Sequence, residues 1–174
     1  MFKNYQNTFF FTATIYKWKP LLLKDEYKEI VLNSLKFLVN NQRVKIFGFV
    51  IMPNHIHIIW NILEDQTKNL TQGSLLRYTA QQIKFEMVKN EPLYLEEFKV
   101  NLKDRSYQLW MRNPLSIEIY SDVVLEQKLN YIHLNPLSKK WNLAIQPEDY
   151  YYSSAHYYHT GIDNFDFLTN YTLE

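Results

Sequence analysis

The spacing of apolar residues changes period along the chain and sets out its elements in order. Residues 7–16 (NTFFFTATIY) are dense in β-branched and aromatic side chains and predict a buried strand. From 23 to 42 the apolar positions Tyr27, Ile30, Val31, Leu35 and Leu38 recur at helical spacing. A strand over 44–51 follows, then Met52-Pro53-Asn54, where Pro53 breaks the ladder and predicts a bulge or turn. His55–Ile62 is the third strand. Residues 71–90 predict a second helix, its inner side formed by Leu75, Leu76, Tyr78, Thr79, Ile83, Phe85 and Met87. The segment 106–111 (SYQLWM) is the expected fourth strand. Ser121 is a suitable N-cap for a last helix over 122–135, which Pro136 ends. The tyrosine-rich stretch from Pro147 on (PEDYYYSSAHYY) is expected to pack over the body through its rings.

Strand, helix, strand, strand, helix, strand is the order of an α+β ferredoxin-like sandwich, an antiparallel sheet with helices on one face. The additional C-terminal helix completes one domain over 1–174, with 147–174 as a packed tail. Composition agrees with a packed core: 47% of the 174 residues are hydrophobic, 17% are aromatic and only 3 are glycine. With no cysteine, disulfide scaffolds, thiolate metal sites and thiolate nucleophiles are excluded. A metal site must then use His, carboxylate, amide or hydroxyl donors. No apolar run approaches the roughly 18 residues of a membrane span, and the first residues lack a signal peptide's pattern. The expected location is therefore the cytoplasm, with no membrane partner. Net charge is only +1, so bulk electrostatics do not single out a nucleic-acid partner, and local arrangement has to carry such a reading.

Two features carry chemistry. In His55-Ile56-His57 the histidines lie two apart on a strand and face the same way, about 6.5 Å apart along the chain. They can converge on one metal ion while Ile56, Ile58 and Trp60 face the core. Two polar residues on a solvated strand face is the plainer alternative, and by ligand type zinc would also fit. In Tyr131-Ile132-His133-Leu134-Asn135-Pro136, Tyr131 and Asn135 share one helix face at i and i+4. A phenol is a weak nucleophile at neutral pH, with a pKa of about 10. Beside a metal that polarises a phosphate it can attack, with the Asn135 carbonyl oxygen as a third ligand. With 14 tyrosines in the chain, a structural role is the alternative for Tyr131. His133 points away from that face, as a structural hydrogen-bonding residue.

With these residues in place, the chain resembles the REP-associated tyrosine transposases, single-tyrosine enzymes of the HUH (His-hydrophobic-His) endonuclease superfamily. The matching stretches are Phe11-Thr12, the run from Gly48 to Trp60 (GFVIMPNHIHIIW), Leu109-Trp110, Tyr131 to Pro136 (YIHLNP), and Pro147 to Tyr150 with Ser153-Ser154. The resemblance implies a ferredoxin-like fold in which His55 and His57 bind Mg²⁺ or Mn²⁺. It implies that Tyr131 attacks a phosphodiester of single-stranded DNA, giving a 5′-phosphotyrosine link and a free 3′-hydroxyl, and that a second transesterification rejoins ends without ATP. Related enzymes carry Gln four residues after the nucleophile, where this chain has Asn135. Hairpin-forming single-stranded DNA is the implied partner, and a homodimer is among the states the resemblance allows.

Arg77, Lys84, Lys103, Arg105 and Arg112 lie on or near the second long helix and the expected fourth strand and are candidate phosphate contacts. A solvated charge is the alternative for each, as it is for Lys139 and Lys140. Trp110 could stack on an unpaired base, although core packing is its commoner role. Two rival functions remain: a domesticated hairpin-DNA-binding protein without efficient strand transfer, and a metal-dependent hydrolase of small phosphodiesters in which Tyr131 is structural.

Overall fold

The computed structural model describes residues 5–63 and 65–173. In chain order it contains β1 (Thr8–Thr14), α1 (Asp25–Asn40), β2 (Val44–Met52), β3 (His55–Ile62) and α2 (Lys68–Asn90). There follow a short α3 (Pro92–Glu96), β4 (Lys99–Leu102), β5 (Arg105–Tyr107), β6 (Leu115–Glu118), α4 (Asp122–Leu134) and α5 (Ala155–Thr160). The main sheet has the order β2-β3-β1-β6 and every pairing in it is antiparallel. This is the ferredoxin-like α+β sandwich expected from the element order, with α4 added.

Register decides what each face carries. Thr12 lies opposite both His57 and Leu115, and Val50 opposite His57. Residues paired across a ladder point to the same side, so one face presents His55, His57, Thr12 and Phe10. The other presents Phe11, Ile56, Ile58 and Trp60, all buried. Helix α2 covers this second face, its Gln72 amide donating to Ser116 Oγ at 2.9 Å, and α1 packs beside it. Helix α4 lies on the histidine face, where it meets β2 and β3.

Gly48 sets how closely α4 approaches. A Cβ there would lie 2.5 Å from Leu129 Cδ1, 3.2 Å from Ser154 Oγ and 3.3 Å from Ile132 Cδ1. The β2–β3 register also slips between Ile46 and Gly48, so the bulge and the missing side chain occur together under the helix.

The structure corrects several sequence expectations. Residues 106–111 do not form the fourth strand. Arg105–Tyr107 pairs instead with Lys99–Leu102 in a separate hairpin, because Lys103 and Asp104 provide a tight turn between them. Leu109 to Met111 then follow the end of β1 irregularly, with Tyr16 N–H donating to Leu109 O and Met111 N–H to Thr14 O, both at 2.7 Å. The sheet's fourth strand is Leu115–Glu118, which restarts after Pro114. Helix α2 begins three residues before the expected position, where the Thr67 hydroxyl accepts from Leu70 N. Its buried stripe is Leu75, Thr79, Ile83 and Met87 at four-residue spacing, whereas Tyr78 and Phe85 are exposed and Leu76 is half-buried.

The tail covers the outer edge of β2. Ile51 N–H donates to Tyr152 O, Ser154 N–H to Phe49 O and Thr169 N–H to Ile46 O. The Tyr150 and Tyr158 hydroxyls donate to Ile51 O and Phe47 O, both at 2.7 Å. Backbone and hydroxyl hydrogen bonds, as much as rings, close an edge that would otherwise be free to pair. Among the described residues no helix is long and apolar enough to cross a membrane.

Candidate active site

The turn Pro53-Asn54 between β2 and β3 fixes the first histidine. The Asn54 side chain is buried, and its Nδ2 donates to Trp18 O at 3.1 Å. That orients the amide so that Oδ1 accepts from His55 Nδ1 at 2.6 Å. With its proton on Nδ1, His55 keeps a free lone pair on Nε2. His57 Nδ1 shares a 2.7 Å hydrogen bond with Thr12 Oγ1 on the neighbouring strand. Its Nε2 is buried and has no hydrogen-bond partner among the described residues. A buried nitrogen left without a partner is costly, and a metal ion is one ligand that would satisfy it.

The two imidazole centroids are 4.8 Å apart. Burial pushes His57 down to about 3, with the neighbouring His55 and then Lys128 adding to the effect. Burial, followed by the charge of Lys140, pushes His55 down to about 4. Both rings are therefore neutral at physiological pH, the form in which imidazole binds a metal. Outer partners that orient the ring and fix its tautomer, as Asn54 and Thr12 do here, are characteristic of metal-binding histidines. The donor set fits a divalent ion. Among the described residues no group of three His, Cys, Asp or Glu is gathered, so a third ligand from those residues would be an amide or hydroxyl.

Helix α4 delivers the tyrosine. The Ser121 hydroxyl accepts from Val124 N, and the helix ends at Leu134 with Asn135 as its C-cap before Pro136, one residue earlier than the sequence predicts. Leu125, Leu129 and Ile132 face the sheet, which leaves Tyr131 above the histidines and 54% exposed. Its ring centroid lies 5.4 Å from that of His57 and 6.2 Å from that of Phe10. Asn135 is one turn further along; its side chain makes no hydrogen bond among the described residues and is half-buried. His133 faces the other way, with Nε2 2.8 Å from Ser154 Oγ.

The structure brings His55, His57 and Tyr131 together. It also adds neighbours the sequence reading did not single out. Phe10 stacks on His57 at 5.2 Å, and the turn after α4 places Trp141 6.4 Å from His55. Lys128, one turn before Tyr131, holds its Nζ 4.9 Å from the Phe10 centroid. Phe10 could have been found as the residue two before Thr12 on the same strand face. Lys128 could have been found as the residue three before the tyrosine.

Of the five basic residues proposed as phosphate contacts, Arg77, Lys84, Arg105 and Arg112 line one cleft of about 690 Å³ between α2 and residues 104–114. Lys103, in the hairpin turn, does not line it. Arg105 and Arg112 pair with Asp104 at 2.8 and 3.2 Å, and Lys84 lies over the Tyr107 ring. Trp110 is buried with its Nε1 donating to Thr79 Oγ1 at 3.0 Å, which makes it a core residue.

Two solved structures are similar to this chain. One is a REP-associated tyrosine transposase solved bound to a REP hairpin, with TM-score 0.63 and 19% identity, covering 98% of this chain and 92% of the other. The protein has the fold of that transposase. The second, a candidate transposase from Deinococcus radiodurans R1, has TM-score 0.48 and 13% identity, covering 72% of this chain and 87% of the other. No protein-family model matches the chain, and no curated protein does.

Proposed function

We propose that the protein is a metal-dependent transposase that cleaves and rejoins single-stranded DNA through Tyr131, at sites containing hairpins, in the cytoplasm. The observation that carries the proposal is the phenol of Tyr131 set 5.4 Å, ring to ring, from His57, whose buried Nε2 has no partner among the described residues. The shared fold with a transposase solved on a REP hairpin supports the choice of substrate.

In this reading His55, His57 and Asn135 hold Mg²⁺ or Mn²⁺. Bound there, the ion supplies Lewis-acid polarisation of a non-bridging phosphate oxygen. Tyr131 Oη attacks phosphorus, a P–O bond to the tyrosine forms, and the bond to the 3′-oxygen breaks. The half-exposed phenol releases its proton to solvent, and the departing 3′-oxygen takes one from water. The 5′-phosphate stays on Tyr131, so the energy of the broken bond is retained and a second 3′-hydroxyl can reverse the step. Helix α4 holds the attacking oxygen in place beforehand, which replaces a bimolecular encounter by an intramolecular one. The α2 cleft, with Arg77, Lys84, Arg105 and Arg112, contacts phosphates of the bound strand, and Lys103 extends that surface at the hairpin turn.

Covalent capture tests this reading. The protein is incubated with end-labelled, hairpin-containing single-stranded DNAs and Mn²⁺, then run on a denaturing gel beside Tyr131→Phe. The expected result is a metal-dependent adduct that Tyr131→Phe abolishes while DNA binding is retained. An adduct that persists in Tyr131→Phe would assign the nucleophile elsewhere. No adduct on any DNA, with turnover of a small phosphodiester, would replace strand transfer by simple hydrolysis.

A further inference from the structure

We propose that Lys128 is a catalytic residue whose ammonium contacts the scissile phosphate and stabilises the charge that builds on its oxygens as Tyr131 attacks. The proposal rests on the reading of Tyr131 given above. Lys128 and Tyr131 stand three residues apart on α4 and so project from the same face. Phe10 joins the group: Lys128 Nζ lies 4.9 Å from its centroid, its ring stacks on His57 at 5.2 Å, and Tyr131 meets it at 6.2 Å. The cation thus shares the Phe10 ring with both the nucleophile and the histidine whose Nε2 has no partner among the described residues.

Lys128 also lacks what other lysines of this protein have. Lys19, Lys24, Lys28, Lys36, Lys89 and Lys99 each meet a carboxylate. Lys128 forms no ion pair among the described residues although it is half-buried. A partly buried cation is screened less by salt than one in free solvent, and around it lie neutral imidazoles, a phenol and an aromatic ring. A phosphodiester brings one negative charge to that surface. In the transition state the charge spreads over the non-bridging oxygens, and a fixed ammonium there needs no reorganisation as the reaction proceeds.

Packing alone is the competing role, because the lysine stem and ammonium already cover Phe10. Lys128→Met keeps that packing and removes the charge, and Lys128→Arg keeps the charge. With saturating hairpin-containing single-stranded DNA and Mn²⁺, single-turnover adduct formation should fall about 100-fold or more in Lys128→Met. In Lys128→Arg it should stay within about tenfold of wild type. A Lys128→Met rate equal to wild type would overturn the proposal.

A second measurement does not need cleavage, so it separates failure of this inference from failure of the functional reading. The dinucleotide TpT, which carries one phosphodiester, is titrated with Mg²⁺ present while the ring signals of His57 and Tyr131 are followed by NMR. Those signals should shift in wild type and Lys128→Arg and stay still in Lys128→Met. Equal shifts in Lys128→Met, or none in wild type, would overturn the proposal. The absence of any protein–DNA adduct in wild type would instead overturn the assignment of Tyr131.

Discussion

His57 can bind through one nitrogen only because Thr12 holds the other. The strand pairing that sets Thr12 opposite His57 puts the hydroxyl 2.7 Å from Nδ1 and leaves Nε2 buried without a partner among the described residues. If that nitrogen is a metal ligand, His57→Ala should abolish Mn²⁺ binding measured by calorimetry or EPR. Thr12→Val keeps the volume and loses the hydroxyl. It should weaken Mn²⁺ by about tenfold, the usual scale for a partner that orients a ligating histidine. Asn135→Ala should cost less than either histidine change, since water can take the place of a half-buried amide oxygen in the coordination of a hard cation. Equal affinity in wild type, His55→Ala and His57→Ala would remove both rings from the ligand set.

Among the elements, the approach of α4 to β2 turns on Gly48. Gly48→Ala brings a methyl group to 2.5 Å from Leu129 Cδ1 and 3.2 Å from Ser154 Oγ, in a seam closed by backbone hydrogen bonds on the tail side. Overpacking of this kind costs about 1–3 kcal/mol. The helix must lift or Leu129 must turn aside. The expected outcome is a lower midpoint in urea together with slower adduct formation, because Tyr131 rides on the same helix. Unchanged values for both would show that Leu129 yields freely.

A second joint lies between α1 and the end of α2. The Tyr27 hydroxyl donates to Glu91 Oε2 at 2.6 Å, and Lys24 pairs with Oε1 at 2.6 Å. The Lys24 ammonium, and then the Tyr27 hydroxyl, hold the Glu91 carboxyl below its usual range. A carboxyl with a lowered folded-state pKa stabilises the fold above the ordinary Glu value of about 4.3. That contribution is lost as pH falls from there through the folded-state value. Glu91→Gln should therefore melt earlier than wild type at pH 7, with the gap closing on acidification below about pH 4. A gap independent of pH would separate Glu91 from this effect.

The same joints explain how far the sequence could be read. Helix α4 is legible to within a residue at its ends because Ser121 and Pro136 are local signals, and the histidine strand because polar and apolar residues alternate from His55 to Ile58. The fourth strand was missed for a physical reason. Leu115–Glu118 turns Leu115 and Ile117 outward, 53% and 38% exposed, so its apolar residues do not mark the core, while SYQLWM is apolar enough to imitate a strand. Tyr78 and Phe85 are hydrophobic enough to suggest the inner face of α2, but the four-residue stripe from Leu75 to Met87 already fills it. The approach of Tyr131 to His57 depends on a glycine 83 residues away in the chain. No local pattern records that contact.

Across the whole molecule, a net charge of +1 conceals an uneven distribution. Arg77, Lys84, Arg105 and Arg112 line one cleft with a single carboxylate, Asp104. Binding of a single strand there should depend on salt even though the protein as a whole is near neutral, because the strand responds to the local charge. Each phosphate neutralised contributes about −0.7 to the slope of log K against log salt. Arg77→Gln and Lys84→Gln should each reduce the slope by about that amount, measured by fluorescence anisotropy with the Tyr131→Phe protein so that no adduct interferes. Asp104→Asn should act in the opposite direction. It releases Arg105 and Arg112 from a competing partner, so affinity and salt dependence should both rise. If Asp104→Asn and Arg77→Gln leave the slope unchanged, the strand runs elsewhere.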